Sequence, residues 1–441
     1  MNNKNNNQEK KDKSKFKYGM FFFLQKTFFC LNKNKSLMYI KIYIIIIVIL
    51  SFLIIKDKKK FGDKSVFRPK IDYDNSLTSL ACSIEKYFGI NPLHKSLPYI
   101  DKLFKEKKPE NVILLLVDGL GSRVMDKILD KNSFLMKNMK SEIYSVFPPT
   151  TASCLNSIKT GLNPSEHGWL GWSTYVPPIN KIINLYKDTE KGQGTKDKDF
   201  EQIKNKYYYN HKTITDLINE KGKYLAFELN CYPYNVERDI DTVFKRILET
   251  LEIQGKKYIF TYYPEPDDIL HAQGIQSKKA VNEIKKINEK VEQYSKLILE
   301  HDKTVMIIVA DHGHLLSNKK RIIYTKMGHY LRNKKIFIEN RSPAFLVKSG
   351  KEKEFVKEFN KNFGKDFFLL SKKDILKYKI YGEYSIDSKH ELFENSFGDF
   401  IAIAKDSSNE ALVGESDHGM TSYHGGYSDD EILVPLVVLS N

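Results

Sequence analysis

Three runs of aliphatic, aromatic and β-branched residues in this chain each end beside an acidic residue. The run NVILLLVDG reaches Asp118, KKYIFTYYPEPDDILHAQG reaches Asp267, and TVMIIVADHGH reaches Asp311. Apolar runs of this length are typical of strands that are buried on both faces of a parallel sheet. Because open α/β sheets bind ligands at the carboxyl ends of their strands, the pattern predicts an α/β fold in which the three acids form a site.

Between the second and third runs, the apolar period changes to that of a helix. Apolar residues recur at helical spacing through 281–299, which predicts a crossover helix between two parallel strands. The segment 173–256 is rich in Tyr, Asn and Lys, and we expect it to form a cap over the site. The sequence therefore predicts a mostly parallel central sheet with an inserted cap region, inside a catalytic domain that spans 61–441.

Three histidines accompany the acids. His271 lies four residues after Asp267, about one helical turn, while His312 follows Asp311 directly and His424 precedes two glycines. Taken singly, each acid is consistent with a helix cap and each histidine with an ordinary loop. Taken together, carboxylates and imidazoles are the ligands of hydrolytic metal sites, and three carboxylates neutralise most of the charge of two divalent ions. These acids and histidines together indicate a metallohydrolase. Its two metal ions would keep a residual positive charge that can bind an anion such as phosphate.

A candidate nucleophile follows the first acid. Pro148 and Pro149 end an extended stretch, and the residues from Thr150 onward predict a helix that stops before Gly161. A threonine at a helix start lies beside free backbone N–H groups and the positive end of the helix dipole, which suits an attacking alkoxide activated by a metal. Thr150 and Thr151 both fit this description, and either is also consistent with a plain N-cap.

Five sequence blocks occur in the order of a known family. They are VDG from Val117 to Gly119, FPPTTASCLNSIKTGLNPSEHG from Phe147 to Gly168, PDDILH from Pro266 to His271, ADHG from Ala310 to Gly313, and HGG from His424 to Gly426. On these blocks the chain resembles the type I phosphodiesterase and nucleotide pyrophosphatase family of the alkaline phosphatase superfamily. The resemblance implies an alkaline phosphatase-like three-layer sandwich and a phosphodiesterase that works through a phosphothreonine intermediate.

The same resemblance implies roles for the site residues. One zinc would be held by Asp118, Thr151, Asp311 and His312, and a second zinc by Asp267, His271 and His424. Thr151, rather than Thr150, would be the nucleophile. Nucleotide-cleaving members of the family usually have an Asn three positions after this Thr that hydrogen-bonds a phosphoryl oxygen. Here that position is Cys154, whose thiol is a poor donor, so backbone N–H groups or another side chain would have to do that work.

Two alternative functions stay open at this point. One is a phosphomonoesterase or a phosphoethanolamine-type transferase of the same superfamily. The other is a non-catalytic surface binding protein of the same fold. The substrate expected for the favoured function is a small-molecule or lipid-linked phosphoester, and the sequence leaves the oligomeric state open.

The positive charge of the chain lies mostly in its first 70 residues. They contain 17 Lys and Arg against 4 Asp and Glu, so they carry +13 of the net charge of +16 and leave +3 for the other 371 residues. We therefore expect no nucleic-acid partner. Residues 37–55 are apolar apart from Lys41 and Ser51, which predicts that 1–60 form a basic cytoplasmic tail plus a single transmembrane signal anchor at about 37–55. The catalytic domain would then be extracytoplasmic.

Overall fold

The computed structural model describes residues 67–231, 236–317, 319–414 and 420–441. Arg68–Asn441 form one compact unit. Within the described ranges, no helix is both long enough and apolar enough to cross a membrane. The predicted segment 1–60 and its anchor at 37–55 lie outside these ranges. Both therefore stay predictions.

Strands are distributed along the whole described chain. In chain order they are β1 (Asn111–Val117), β2 (Met139–Tyr144), β3 (Ser173–Val176), β4 (Lys181–Asn184), β5 (Thr189–Glu190), β6 (Leu225–Glu228), β7 (Lys257–Tyr263), β8 (Thr304–Val309), β9 (Leu315–Leu316), β10 (Lys319–Ile322), β11 (Phe337–Ile338), β12 (Pro343–Phe345), β13 (Phe367–Ser371), β14 (Phe400–Ala404), β15 (Glu410–Val413), β16 (Ser422–Tyr423) and β17 (Leu433–Ser440).

The α-helices alternate with these strands. In chain order they are α1 (Leu77–Tyr87), α2 (Pro98–Lys107), α3 (Ser122–Ile128), α4 (Phe134–Asn138), α5 (Thr151–Thr160), α6 (Pro164–His167), α7 (Lys198–Tyr207), α8 (Ile214–Lys221), α9 (Ile240–Leu251), α10 (Asp267–Gln273), α11 (Lys278–Ile298), α12 (Tyr324–Met327), α13 (Glu352–Phe363), α14 (Lys372–Tyr378), α15 (Phe393–Ser396) and α16 (Asp429–Ile432).

The central sheet has the strand order β2-β17-β8-β1-β7-β6. Strands β6, β7, β1 and β8 run parallel, whereas β17 runs antiparallel to β8 and to β2. Every residue of β1, β7 and β8 is buried, as their unbroken apolar sequences require. The three predicted strands are thus confirmed, and they are neighbours in the sheet, which brings their carboxyl ends together at one edge.

Helices pack in two groups against the central sheet. One group contains α1, α5 and α8, and the other contains α3, α4, α9, α10 and α11. The predicted crossover helix is α11, which buries Ile284, Ile287, Val291 and Ile298 and leads from β7 past β1 to β8. The expected α/β sandwich with a mostly parallel central sheet is confirmed.

A second, antiparallel sheet lies in the same compact unit. Its strand order is β13-β14-β12-β11-β3-β4-β5. The predicted cap segment 173–256 does not fold as one element of structure: its first part supplies β3, β4 and β5 to this sheet, whereas β6 joins the central sheet and α9 packs on α11. The four-residue strand β6 is too short to give a clear periodic signal in the sequence.

Candidate metal centre

The three acids lie where the central strands end. Asp118 directly follows β1, and its backbone N–H donates to the carbonyl oxygen of Tyr263 at the end of β7. Asp267 begins α10, four residues after β7, and Asp311 lies two residues after β8. Because these strands are adjacent and parallel, the three carboxylates meet at one edge of the sheet, as the sequence predicts.

Thr151 lies beside one group of acidic and histidine side chains. Its Oγ1 is 3.2 Å from Asp118 Oδ2 and 3.4 Å from His312 Nε2. His312 Nε2 is in turn 3.4 Å from Asp118 Oδ1 and 3.4 Å from Asp311 Oδ2. All four residues are buried. This set is the one that the family resemblance implies for one metal.

A second group surrounds Asp267. His271 Nε2 is 3.5 Å from Asp267 Oδ1, and His424 Nε2 is 3.9 Å from the same oxygen. The structure adds His314, whose Nε2 is 2.6 Å from Asp267 Oδ1. The ligand atoms of Asp267, His271, His314 and His424 all lie within 4.8 Å of one another. His314 was not predicted as a site residue from the sequence, although it stands two residues after His312 in the DHGH run.

The histidine rings are oriented by hydrogen bonds from their Nδ1 atoms. His271 Nδ1 lies 2.9 Å from Ser422 O, His424 Nδ1 lies 2.9 Å from Pro149 O, and His312 Nδ1 lies 3.2 Å from Gly313 O. A carbonyl oxygen can only accept, so each Nδ1 carries the hydrogen and each neutral ring presents a lone pair at Nε2. This is the arrangement of histidines that bind metals, whose other ring nitrogen usually donates to an oxygen.

One buried oxygen supports the same conclusion. Asp311 Oδ1 accepts hydrogen bonds from the backbone of Gly119 and His312, at 3.0 and 2.9 Å. Among the described residues, however, Asp311 Oδ2 has no hydrogen-bond partner, although it is buried. An unpaired carboxylate oxygen is costly in the interior, and a cation between it and His312 Nε2 would satisfy it. The residues present therefore fit a pair of divalent metals.

In the metal-free site, the buried acidic and histidine side chains shift one another's pKa values. Burial raises the pKa of Asp118 well above its usual range, and Asp311 and Asp267 raise it further. Burial alone would also raise the pKa of Asp267, but the neighbouring His271 and other histidines lower it well below its usual range. Burial, reinforced by nearby histidines, lowers the pKa of His424 well below its usual value. Bound cations would relieve the repulsion between these carboxylates.

Tyr262 supports the first group from β7. Its hydroxyl donates to Asp118 Oδ2, so it holds the carboxylate that lies nearest to Thr151. The tyrosine is 1% exposed. Sequence reasoning did not find it, because an aromatic residue inside an apolar run is indistinguishable from an ordinary core residue.

The loop that carries His424 is fixed by a buried ion pair. Arg341 Nε and Nη2 donate to Glu431 Oε1 and Oε2 at 2.7 and 3.0 Å, and both side chains are fully buried. Glu431 also accepts from the backbone N–H of Gly426 and from the Ser428 hydroxyl, each at 2.7 Å. The HGG turn is thereby joined to the core through a charged network.

Helix α5 starts at the predicted position. It begins at Thr151, with Thr150 as the N-cap residue, and ends before Gly161, whose φ of 68° is left-handed. The Thr150 hydroxyl donates to Glu339 Oε1 at 2.8 Å, whereas Thr151 Oγ1 faces the metal ligands. The geometry thus separates the two threonines that the sequence pattern left equivalent.

The side chain of Cys154 does not face the cavity. Its side chain is fully buried, and Sγ lies 3.0 Å from Ser145 Oγ rather than at the cavity. Three positions after Thr151 the helix has turned this residue toward the core between α5 and the sheet. The donor to a phosphoryl oxygen must therefore come from elsewhere, and Asn184, Lys187 and Lys191 line the cavity outside Thr151.

That cavity has a volume of about 460 Å³. Its walls include Thr151, Asp267, His271 and His424 on one side and residues of the second sheet on the other. Glu339 lies in its wall, where Oε1 also accepts from the backbone N–H of Trp172 at 2.9 Å. Burial raises the pKa of Glu339. The two sheets therefore enclose a space that is large enough for a small organic phosphoester.

Comparison with known proteins shows the family of this chain. Residues 112–425 match the family described as type I phosphodiesterase / nucleotide pyrophosphatase. The chain belongs to this family. As a member of the type I phosphodiesterase / nucleotide pyrophosphatase family, which is of the dimetal type, it is a phosphoric ester hydrolase. A search of curated protein sequences gives no significant match.

Solved structures of the family share the fold. Murine ectonucleotide pyrophosphatase/phosphodiesterase 5 is 17% identical, with a TM-score of 0.57 over 75% of this chain and 88% of that chain. An inactive threonine-to-alanine variant of the murine protein, in complex with AMP, is 18% identical, with a TM-score of 0.55 over 74% of this chain and 87% of that chain. The human ectonucleotide pyrophosphatase/phosphodiesterase 5 is 17% identical, with a TM-score of 0.56 over 74% of this chain and 87% of that chain. At this identity the likeness establishes the fold.

Proposed function

We propose that this member of the type I phosphodiesterase / nucleotide pyrophosphatase family cleaves phosphodiester or pyrophosphate bonds by attack of the Thr151 hydroxyl on phosphorus. The carrying observation is that Thr151 Oγ1 lies at a helix start within 3.4 Å of His312 Nε2 and within 3.2 Å of an Asp118 oxygen. A second group of ligand atoms around Asp267 lies at the same edge of the sheet.

The metal assignment follows these two groups. We assign Asp118, Thr151, Asp311 and His312 to one ion, and Asp267, His271 and His424 to the other. Oxygen and imidazole donors of this kind suit zinc. Two such ions would lower the pKa of the Thr151 hydroxyl and stabilise negative charge on the attacking and leaving oxygens.

The protein itself positions the reaction. In the first turn of α5 the Ser153 N–H donates to Thr150 O at 3.1 Å, whereas the N–H groups of Thr151 and Ala152 precede the first helical hydrogen bond and are suited to hydrogen-bond a phosphoryl oxygen next to Thr151. Tyr262 fixes Asp118, and the backbone of Gly119 and His312 fixes Asp311. Because Thr151 is held in this way, it needs little further ordering before in-line attack on phosphorus. The leaving group would then point into the cavity.

The outer part of the cavity supports an anionic or nucleotide substrate. Lys187 and Lys191 line it, and Lys187 Nζ lies 5.8 Å from the centre of the Trp172 ring. A cation beside an aromatic face suits a planar group linked to phosphate. The AMP complex of the murine neighbour makes adenosine-linked diesters the first substrates to test. Lipid-linked phosphoesters are the second class.

The site of action is part of the proposal. We propose that the apolar segment 37–55 anchors the chain in a membrane as a single span, with the catalytic part on the extracytoplasmic side. Protease treatment of intact cells tests this placement. Digestion of the catalytic part without lysis is expected, and protection until lysis would contradict it.

A substrate comparison tests the activity. The full chain, purified in detergent, is stripped of metal with a chelator and assayed with and without added zinc on bis(p-nitrophenyl) phosphate, p-nitrophenyl phosphate and an adenosine-linked diester. We expect zinc-dependent turnover with a preference for diesters. A preference for the monoester would transfer the chain to the phosphatase alternative. A chain that binds no metal and cleaves none of the esters would favour the binding-protein alternative.

A further inference from the structure

We propose that His314 is a fourth protein ligand of the metal at Asp267, so that this ion is held by one carboxylate and three imidazoles. The inference rests on the proposed function, because it concerns one of the two metals assigned there. Neither the sequence blocks nor the family resemblance gives a role to this residue.

The hydrogen bonds of Ser422 fix which nitrogen of His314 faces the site. The Ser422 hydroxyl donates to Leu270 O at 2.7 Å, and its oxygen lies 3.0 Å from His314 Nδ1. Since the single hydroxyl hydrogen is committed to the carbonyl, the Ser422 oxygen accepts from His314 Nδ1–H. The neutral ring therefore directs the lone pair of Nε2 toward Asp267.

That lone pair meets another acceptor. His314 Nε2 is 2.6 Å from Asp267 Oδ1, and His314 is 0% exposed. Two acceptors at this separation repel each other unless a proton or a metal ion lies between them. The ligand atoms of His271 and His424 converge on the same place, all four within 4.8 Å of one another, which favours a metal ion. A divalent ion placed between them would also be reached by His271 Nε2 and His424 Nε2, which lie 3.5 and 3.9 Å from the same oxygen.

The surroundings of His314 hold the ring in place. A Cβ built on Gly119 would come within 3.1 Å of His314 Cδ2 and Nε2, so the glycine backbone packs directly against the imidazole. The ring centre lies 4.7 Å from that of His271 and 5.2 Å from that of His424. His314 is thus confined among the other ligands and cannot swing toward solvent without moving β1's terminal turn.

A fourth protein ligand changes what this ion can do. Four protein donors fill a tetrahedral coordination sphere, as in structural zinc sites, whereas catalytic zinc commonly keeps an open position. The ion beside Thr151 also has four protein donors, but one of them is a hydroxyl, which is a weaker ligand than an imidazole. We therefore expect the Asp267 ion to be bound more tightly and to interact with substrate only by accepting a fifth ligand.

The test measures metal binding and coordination in the full chain. His314→Asn keeps an amide near the position of Nδ1, where it can still donate to Ser422, but removes the Nε2 donor. Zinc affinity is measured by competition with a chromophoric chelator, and the cobalt-loaded protein is compared by visible absorption. His390→Asn is the matched control, because His390 is a buried histidine outside the site that bonds Tyr207 O through Nε2.

We expect the wild-type protein to bind two zinc ions with unequal affinity. His314→Asn should bind the tighter ion at least about 100-fold more weakly, because loss of even an indirect partner of a metal ligand lowers metal affinity roughly 10- to 100-fold. The cobalt bands of that site should change in His314→Asn and stay the same in His390→Asn. Ser422→Ala removes the acceptor that orients His314 Nδ1–H, so it should weaken zinc binding at this site by roughly 10- to 100-fold. It gives a second variant if His314→Asn does not fold.

Two results would overturn the inference while leaving the proposed function intact. One is unchanged zinc affinity in His314→Asn. The other is weaker binding with unchanged cobalt bands, because it would mean that His314 only positions Asp267. Unchanged zinc affinity in Ser422→Ala would also count against it. A wild-type chain that binds no metal would overturn both the inference and the proposed function.

Discussion

His271 Nε2 and His424 Nε2 lie 3.0 Å apart. Each ring donates its Nδ1 hydrogen to a main-chain carbonyl oxygen, so in the neutral state both Nε2 atoms present lone pairs to each other. Two lone pairs held this close repel each other, and a cation bound by both nitrogens would remove that repulsion. This relationship is the structural reason for regarding the histidines as ligands rather than as core residues.

Tyr262→Phe tests how far Asp118 depends on its phenol partner. Removing the hydroxyl leaves Asp118 without the hydrogen bond that orients it, while the ring still fills its buried space. We expect diesterase activity and the affinity for the metal beside Thr151 to fall by roughly 10- to 100-fold. Steady-state kinetics and chelator competition measure the two effects.

The next residue provides the control for this change. Tyr263 is also buried, but its hydroxyl donates to Glu283 Oε1 at 2.7 Å, on the other face of β7. Tyr263→Phe should leave metal affinity unchanged. Equal effects of the two substitutions would mean that Tyr262 contributes only to packing.

Gly313→Ala tests the close packing behind the metal ligands. An added Cβ would lie 2.1 Å from the carbonyl oxygen of Asp430, which forces the backbone between His312 and His314 to move. We expect a loss of about 1–3 kcal/mol in the free energy of unfolding, together with weaker metal binding. Denaturant unfolding and metal titration measure these quantities.

Gly194 offers a matched position without this constraint. No described atom lies within 4 Å of a Cβ built there. Gly194→Ala should leave stability and metal affinity close to those of the wild type. If Gly313→Ala behaves in the same way, the close approach of the two loops is not needed for the site.

Glu431→Gln tests the buried ion pair under the HGG turn. The substitution leaves the Arg341 charge buried without its partner, and breaking such a pair costs about 3–5 kcal/mol. Burial alone would raise the pKa of Glu431, but Arg341, Ser428 and the Gly426 N–H lower it below its ordinary value of 4.5. The stabilisation by Glu431 is therefore complete above that pH and is lost as the pH falls through the lowered value.

Unfolding of the metal-free chain at several pH values measures this contribution. The difference between wild type and Glu431→Gln should be large at pH 7 and should shrink as the solution becomes more acidic than the folded-state pKa. Glu106→Gln, at an exposed helix position 3.8 Å from Lys102, serves as the control and should change stability little. A difference that is independent of pH would contradict the assigned charge of Glu431.

The sequence was sufficient to predict the elements with strong periodic or terminal signals. The three apolar runs became β1, β7 and β8, because fully buried parallel strands need continuous apolar sequence. Asp118 and Asp311 could be placed because they follow such strands, and α5 because it ends at a left-handed glycine. The side chains that meet at the end of a parallel sheet depend on which strands are neighbours. The order of the motifs along the chain was enough to predict that these three strand ends come together.

The remaining features depend on tertiary contacts that no local pattern encodes. His314 is recognisable only once the turn after β8 brings it to Asp267, 47 positions earlier in the chain. The group that replaces the family Asn could not be predicted either, because Cys154 at that position faces Ser145 in the core and the candidate donors come from other parts of the chain. The second sheet combines short strands from 173–190 with strands beyond residue 336, a pairing over long sequence separation.

The most direct test of the central claim is the turnover of Thr151→Ala on a phosphodiester, measured together with its metal content, with Thr150→Ala as the matched control. The Thr150 hydroxyl donates to Glu339 and not to any of the assigned metal ligands, so its loss should be mild. If Thr151 is the nucleophile, Thr151→Ala still binds metal but loses at least roughly 1,000-fold in kcat, as expected when a covalent nucleophile is removed. A Thr151→Ala protein that keeps turnover near that of Thr150→Ala would contradict the account.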